Sequence, residues 1–185
     1  MEASHLIWTE EKRREAYRSK VLTVQDTECR SPEGILRPFT VIDCPDWVIV
    51  VPVFESAAGR QFLMVRQWRH GSRELSVEFP GGVLEDGEDP ETGAGRELKE
   101  ETAYQAGRLI KLGAMSPNPA IMSNHVHFYL AENCSPLPSQ NLDDDEFVDA
   151  EFISEKEVLS GMGKPPYIHA LTAAALSLYL TRTSA

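Results

Sequence analysis

Basic residues are scarce relative to acidic ones in this sequence, and long apolar runs are missing. Among 185 residues, 18 Lys and Arg stand against 29 Asp and Glu, a formal net charge of −11. Such a chain has no sequence-wide basic surface for DNA or RNA, and a small anionic substrate would need a bound cation. The longest late apolar stretch, residues 170–180, is far shorter than a membrane span. We expect neither a nucleic-acid nor a membrane partner.

Cysteine is also rare, and no cysteine pair has metal-ligand spacing. Cys29, Cys44 and Cys134 are odd in number, widely spaced and form no C-x-x-C motif, which excludes a disulfide scaffold and indicates a reducing compartment. The amino-terminal residues carry charges where a secretory signal needs an apolar core. The sequence therefore predicts a soluble, cytoplasmic protein.

The composition, with 42% apolar and 25% charged residues, is that of a globular domain. Residues 9–18 are polar and compatible with a helix, whereas β-branched residues at 21–28 and 35–43 predict strands. We assign residues 1–45 to an amino-terminal strand region and residues 46–185 to the main domain. Within it, further strands are predicted at 47–54, 61–68, 108–115, 125–131 and 147–153. The first of these is nearly all apolar, so it needs cover on both faces and should pair with the second.

Three helices are predicted among these strands. Asp89 is a plausible N-cap with Pro90 at the first helical position, and a charged helix follows to about Ala103. Ser154 opens a short helix in a capping-box pattern, and residues 167–180 form a final apolar-rich helix. The polar stretch 132–146 is the best candidate for a mobile loop. This order predicts an α/β fold in which a mixed sheet packs between helices.

The first predicted helix gathers carboxylates on one face. At about 100° per residue, Glu97 lies about 40° from Glu101 and about 60° from Glu100. Like charges in this arrangement destabilise a helix by roughly a few tenths of a kcal/mol, whereas a hard cation reverses that sign. Mg²⁺ prefers such oxygen ligands beside a substrate phosphate, and the glycines Gly81 and Gly82 allow close backbone approach. The alternative is a merely solvated acidic face.

These residues resemble the Nudix box, G-x5-E-x7-R-E-U-x-E-E-x-G-U, in which U is a bulky apolar residue. Seven positions are in register: Gly82, Glu88, Arg96, Glu97, Leu98, Glu100 and Glu101. Ala103 stands where the family has glycine and Tyr104 is a bulkier U than usual. Because alanine in a left-handed C-cap costs about 1 kcal/mol, the helix end is expected to differ here. Gly93 and Gly95, in the helix interior, are explained equally well by close packing and by drift at a tolerant position.

The resemblance implies the Nudix fold, an α/β/α sandwich with a mixed central sheet, here preceded by an amino-terminal strand layer. It also implies hydrolysis of a nucleoside diphosphate linked to another group, with Mg²⁺ or Mn²⁺ as cofactor. The metal ligands implied by the motif are Glu97, Glu100, Glu101 and the carbonyl of Gly81, and Glu100 and Glu101 thereby take part in catalysis. Glu88 and Arg96 are expected to hold the loop and the helix together. Bound divalent ions neutralise the diphosphate and activate water, so no covalent nucleophile is required.

Residues outside the box resemble the ADP-ribose pyrophosphatase branch of the family. The similarity lies in VRQWRH at 65–70, EFPGG at 78–82 and Pro119. It implies that Arg69 contacts the substrate diphosphate through its forked donors. It further implies that Arg37 and Asp46 contact ligand, as in some relatives across a homodimer interface completed by the amino-terminal strands. A solvated surface charge is the alternative for each.

Further site candidates follow from the same resemblance. Trp47 can stack a purine, but because it opens an apolar strand, packing in the core or an interface is favoured. Ser123 lies where relatives approach the terminal ribose, with an ordinary loop serine as the alternative. The catalytic base in relatives is a loop carboxylate, for which we select Glu146 over its neighbours Asp143, Asp144 and Asp145. His125 and His127 share one strand face and are taken as structural.

The leading hypothesis is a Mg²⁺-dependent pyrophosphatase that cleaves ADP-ribose, or a related nucleoside diphosphate sugar, into AMP and ribose 5-phosphate. One alternative is an enzyme of the same class that prefers another sugar nucleotide such as GDP-mannose, because no residue identified here fixes the base. The other is a non-catalytic Nudix module that binds a nucleotide or a partner protein. Retention of every box glutamate favours the enzyme.

Overall fold

The computed structural model describes residues 3–144 and 146–183, which form two compact units. The first contains the chain up to Pro45 together with Ser116–His125, and the second contains Asp46–Met115 and the chain from Val126 onward. Ser116–His125, which the sequence assignment placed in the main domain, joins the first unit through backbone bonds. Ile42 N–H donates to the Ile121 carbonyl at 2.7 Å, and Ser123 N–H donates to the Ile42 carbonyl at 3.1 Å.

The first unit is built on a three-stranded antiparallel sheet. Its strands, in the order β1-β2-β3, are β1 (Thr9–Arg18), β2 (Thr23–Arg30) and β3 (Leu36–Asp43). The helix-compatible interpretation of residues 9–18 is wrong, because their charges match those of the neighbouring strand. Lys12 pairs with Glu28 at 2.8 Å and Arg14 with Asp26 at 2.6 Å. Such cross-strand pairs stabilise a sheet and are invisible in local propensity.

The second unit contains a six-stranded mixed sheet. Its strands are β4 (Trp47–Ser56), β5 (Gly59–Arg69), β6 (Glu74–Glu78), β8 (Arg108–Met115), β9 (Val126–Glu132) and β11 (Val148–Ser154); β7 (Tyr104–Gln105) and β10 (Ser135–Pro136) form a separate small ribbon. The order is β11-β5-β4-β9-β8, with β6 paired to β5. Only β4 and β9 run parallel within the described sheet, and the predicted pairing of β4 with β5 is confirmed.

Three helices pack on this sheet: α1 (Pro90–Thr102), α2 (Glu155–Gly161) and α3 (Ala170–Thr183). The predicted caps are confirmed, since the Asp89 carboxylate accepts the N–H groups of Glu91 and Thr92, and Ser154 Oγ accepts that of Glu157. The final helix begins at Ala170 rather than at residue 167. No helix among the described residues is both long and apolar enough to cross a bilayer.

The apolar strand β4 supplies both faces of the sheet, as its sequence predicts. Val48 and Val50 pack with Leu98 of α1 on one face. Ile49 and Val51 pack on the other face, with Leu176 and the rest of the α2 and α3 core. Strand side chains alternate between faces, so one all-apolar strand fills two cores. The second unit is therefore the expected α/β/α sandwich.

The end of α1 does not differ from that of a glycine-terminated helix, so that expectation is wrong. Ala103 adopts φ 56° and ψ 34°, the left-handed conformation, and its N–H donates to the Lys99 carbonyl. The strain of about 1 kcal/mol is borne because the surrounding chain holds the residue. In particular, Leu137 N–H donates to the Ala103 carbonyl at 2.6 Å.

The two interior glycines of α1 have different surroundings. A Cβ built on Gly93 would overlap Leu84 Cδ2 and lie 3.0 Å from the Glu88 carboxylate. A Cβ on Gly95 would meet only Leu109 Cδ1, at an ordinary 3.6 Å. Close packing therefore explains Gly93, whereas position 95 is tolerant.

We expect Gly95→Ala to raise the free energy of unfolding by about 0.5–1 kcal/mol, because alanine gains helix propensity there without a clash. Gly93→Ala should lower it, because Leu84 or the Glu88 carboxylate has to move. Urea unfolding followed by circular dichroism measures both variants. Equal shifts for the two would contradict the packing explanation.

Candidate active site

The glycine loop before α1 runs along β4 at very short range. Val48 N–H donates to the Gly82 carbonyl at 2.9 Å. A Cβ on Gly81 would overlap the Val48 carbonyl, and a Cβ on Gly82 would lie 2.5 Å from Glu97 Oε1. Gly81 is therefore required by its contact with the β4 backbone, whereas a side chain at position 82 would displace the Glu97 carboxylate.

Two of the predicted metal-binding glutamates are buried. Glu101 is 3% exposed and Glu97 8% exposed, and Glu101 Oε2 accepts the Gly81 N–H at 2.8 Å. Burial raises the pKa of Glu97 to about 7 and that of Glu101 to about 8. The Glu146 carboxylate adds to both increases, whereas Arg69 lowers the pKa of Glu101. The helix face is thus no ordinary solvated surface.

Arg96 holds the other side of this cluster. Its Nε and Nη2 donate to the two Glu88 oxygens, each at 2.9 Å, as the predicted structural role of this pair requires. Its Nη1 donates to Glu97 Oε1 and to Glu100 Oε2, both at 2.9 Å. A single guanidinium therefore gathers carboxylates on α1 while tying the helix to the preceding loop.

The donor set suits a hard divalent cation. Glu97, Glu100, Glu101 and the Gly81 backbone lie together, and carboxylate and carbonyl oxygens are what Mg²⁺ or Mn²⁺ takes. Across the described ranges, no three Asp, Glu, His or Cys side chains are placed so that they could together hold a metal ion without rearrangement. The Arg96 bonds to Glu97 and Glu100 are consistent with that. Charge compensation for the buried carboxylates would favour a bound cation.

The loop that carries Glu146 is fastened to the carboxyl end of α1. Asn141 N–H donates to the Glu100 carbonyl at 3.1 Å, and Gln140 Nε2 donates to the Glu101 carbonyl. These bonds satisfy helix carbonyls that have no partner within the helix. The Glu146 side chain is exposed and accepts the Asp143 N–H at 3.3 Å. Asp145, another candidate, lies outside the described residues.

Arg69 lies at the end of β5 and is anchored by Glu78, a residue that the sequence analysis did not single out. Its Nε and Nη2 donate to the Glu78 oxygens at 2.9 and 2.6 Å. His169 Nδ1 lies 2.9 Å from Glu78 Oε2. A glutamate between the apolar residues Val77 and Phe79 was a usable signal for Glu78. No pattern in the sequence linked the distant His169 to this site.

The remaining predicted contacts in the second unit have structural partners. Asp46 Oδ2 lies 2.8 Å from His127 Nε2, in keeping with the structural role expected of His127. Trp47 is partly buried and packs against the core that includes Ile49 and Val126. Its partial burial agrees with the packing that its place in the sequence favours.

Two predicted contacts belong to the first unit. Arg37 is exposed on β3, and its Nη1 donates to the neighbouring Leu36 carbonyl at 3.1 Å. Ser123 Oγ lies 3.4 Å from the Ile42 carbonyl, to which it donates. These bonds hold both residues within the first unit.

We expect the stability of the metal-free protein to fall as the pH rises from about 5 to about 8. Glu97 and Glu101 have pKa values of about 7 and about 8 in the folded chain, above the ordinary glutamate value of 4.5. The folded state therefore holds more protons than the unfolded state in this window, and stability decreases with pH. Thermal melts across the window, with and without Mg²⁺, measure this effect.

Added Mg²⁺ should flatten that decline, because a cation compensates the ionised carboxylates. The matched control is the Glu97→Gln, Glu101→Gln double variant, whose melting temperature should vary less over the same range. Glu78, with a pKa lowered to about 2, stabilises the fold throughout this window, and that contribution is lost only as the pH falls below about 4.5. A metal-free wild type that becomes more stable towards pH 8 would refute the interpretation.

Comparison with known proteins extends over most of the chain. The family model described as the NUDIX domain matches residues 46–173. An ADP-ribose pyrophosphatase of Bacillus subtilis (strain 168) is 33% identical over 161 residues, which cover 86% of this chain and 85% of that protein. A methanol dehydrogenase activator of Bacillus methanolicus is 30% identical over 149 residues, 80% of this chain and 79% of that protein.

The fold has a close counterpart among solved structures. A crystal structure of an ADP compounds hydrolase superposes with a TM-score of 0.83 at 22% identity, covering 96% of this chain and 94% of the other. That likeness concerns the fold, while the family match and the B. subtilis relative concern the sequence. On these grounds the chain belongs to the Nudix family of hydrolases.

Proposed function

We propose that the protein hydrolyses the diphosphate bond of ADP-ribose and related nucleoside diphosphate sugars, giving AMP and a sugar phosphate such as ribose 5-phosphate. The observation that carries the proposal is the pair of buried carboxylates, Glu97 and Glu101, beside the Gly81 backbone. Such a site favours a cation, and a cation lets an acidic protein bind an anionic diphosphate. The name of the B. subtilis relative supports the substrate class.

The proposed cofactor is Mg²⁺, with Mn²⁺ as a substitute. Glu97, Glu100, Glu101 and the Gly81 carbonyl would hold it. When bound, the cation neutralises the diphosphate and lowers the pKa of a coordinated water. Arg96 must release Glu97 and Glu100 at least partly for this, and its two bonds to Glu88 keep it in place while it does so.

Glu146 is the proposed general base. Its exposed carboxylate is free to accept a proton from the attacking water, and its electrostatic effect on Glu97 and Glu101 indicates that it lies within range of the cluster. The hydrogen bonds between its loop and the α1 carbonyls limit how far Glu146 can move from the cluster. A base has to come within hydrogen-bond reach of the water, which such tethering favours.

Arg69 is the proposed contact to the diphosphate, because a guanidinium matches phosphate oxygens in a forked geometry. Arg37, Asp46, Trp47 and Ser123 stay proposed substrate contacts. We further propose that the enzyme works in the cytoplasm without nucleic-acid partners, which its three free cysteines and net charge of −11 support.

A second candidate is a role towards a partner protein. The B. methanolicus relative is named as an activator of another enzyme, methanol dehydrogenase. Absence of turnover with any sugar nucleotide would favour this candidate, whereas cleavage of GDP-mannose but not ADP-ribose would retain the reaction and change the substrate.

We expect AMP release from ADP-ribose with Mg²⁺ to be faster than cleavage of GDP-mannose, UDP-glucose, diadenosine polyphosphate or NADH. The Glu100→Gln, Glu101→Gln double variant should lose about a thousandfold in turnover, since it removes ligands of the cation. Glu146→Gln should lower kcat by about 10²–10⁴-fold as a lost general base. Chromatographic quantification of AMP measures all of these.

The matched control is Glu91→Gln, which removes an exposed carboxylate from the first turn of the same helix. It should retain wild-type turnover. If it lost as much as the double variant, the losses would reflect the charge of α1 and not ligation.

We also propose that the protein is a homodimer formed through the first unit. Strand β1 is exposed along its whole length, and Trp8 and Phe39 form an edge-to-face pair while each stays more than 40% exposed. Exposed apolar groups of this kind mark interaction surfaces.

Sedimentation velocity should show a species of twice the protomer mass, and Phe39→Asp should shift it to the monomer. Leu159→Asp, which changes an exposed apolar residue of α2 instead, is the control and should stay dimeric. A wild-type protein that sediments as a monomer at all concentrations would exclude the dimer.

A further inference from the structure

Glu78 and His169 form a buried group next to the proposed diphosphate contact. Glu78 is 1% exposed and ends β6, with both oxygens bonded to Arg69 at 2.9 and 2.6 Å. His169 Nδ1 lies 2.9 Å from the same carboxylate. We propose that Glu78, supported by His169, is a positioning residue that fixes the Arg69 guanidinium for the substrate diphosphate, an inference that rests on the proposed function.

The first argument is the edge of the guanidinium that Glu78 occupies. A guanidinium has five N–H donors in a planar fork. Glu78 binds the Nε and Nη2 edge of Arg69, so it leaves unused the Nη1–Nη2 edge, which presents one N–H from each of these nitrogens. A bidentate pair also fixes the plane of the group, which a single bond would not. Arg69 is thereby held with a free donor edge of defined direction.

The second argument is what Arg69 would do without this anchor. Glu101 accepts the N–H of Gly81, three residues beyond Glu78, so the anchored Arg69 is held close to the α1 carboxylates. Arg96 shows how a guanidinium bonds to these glutamates, because its Nη1 donates to Glu97 and Glu100 while Glu88 holds its other edge. A released Arg69 would be drawn to Glu101 and would compete with the cation for it. Glu78 keeps the positive charge near the cluster but off its ligands.

The third argument is that Glu78 stays an anion in spite of its burial. Burial alone would raise its pKa, but the bonds and charges of Arg69 and His169 outweigh it and lower the pKa to about 2. The segment before α3 keeps His169 close to the carboxylate, since Val77 N–H, next to Glu78, donates to the Pro166 carbonyl at 3.0 Å. The carboxylate therefore has two fixed partners, and the substrate has to displace neither.

The kinetic test uses Glu78→Gln, Arg69→Lys and the double variant. At saturating Mg²⁺, Glu78→Gln should raise KM for ADP-ribose about tenfold with a smaller change in kcat. Arg69→Lys keeps the charge but lacks the fork, so it should have a similar effect. The double variant should be no worse than Arg69→Lys alone, because both changes remove the same oriented guanidinium. Additive losses, or an unchanged KM in Glu78→Gln, would overturn the proposal.

A spectroscopic test needs no turnover. The Nε–Hε signal of Arg69, assigned by its absence in Arg69→Lys, should be dispersed and slow to exchange in the wild type. It should move to the solvent-exposed position in Glu78→Gln. If the wild type does not cleave ADP-ribose, the proposed function is refuted. The Nε–Hε signal would still show whether Glu78 anchors Arg69. A signal that stays dispersed in Glu78→Gln would overturn the anchoring.

Glu151→Gln is the matched control for losing an ion pair. Glu151 pairs with Arg66 at 2.7 Å, again from a neighbouring strand to β5. By alternation along β5, Arg66 shares the face of Phe62 and Met64, opposite that of Arg69. Its KM should equal that of the wild type. If Glu78→Gln does not fold, His169→Gln replaces it, with a smaller rise in KM expected and no rise refuting the support from His169.

Discussion

Glu97 and Glu101 carry their carboxylates into the protein interior, where they lose water and repel each other. Neighbouring groups of the second unit offset part of this lost hydration and repulsion. Gly81 and Gly82 bring backbone against the glutamates, and the Gly81 N–H compensates part of the charge. Because neither glycine has a side chain, the loop fits between β4 and α1. A cation-dependent reaction needs a site of this kind, in which the fold concentrates negative charge that a bound cation can neutralise.

Both arginines near the cluster are held in the same manner. Arg96 is bound through Nε and Nη2 by Glu88, and Arg69 through the same two atoms by Glu78. Each anchoring carboxylate comes from outside α1. The cationic groups are therefore oriented by the protein before a substrate arrives, which reduces the ordering that binding has to supply. The two arginines differ in what their Nη1 groups contact. Nη1 of Arg96 donates to carboxylates of α1, whereas Nη1 of Arg69 makes no such bond among the described residues.

The sequence could predict features that are set by residues close together in the chain, but not those set by distant residues. Asp89, Pro90 and the glutamate spacing act within one helix, so α1 and its acidic face were predictable. Residues 9–18 were misjudged because the charges that make them a strand lie on β2. The role of Gly93 depends on Leu84, and the anchoring of Arg69 depends on His169 from a distant segment. No single-segment pattern contains those partners.

The contact between Gly93 and Leu84 also limits how this chain can change over time. The two positions share one volume, since a methyl group at 93 would occupy the space of a Leu84 methyl. Alanine at 93 therefore requires Leu84 to move, at a cost in stability, or to be replaced by a smaller residue. We therefore expect the effect of a substitution at one of these two positions to depend on the residue at the other.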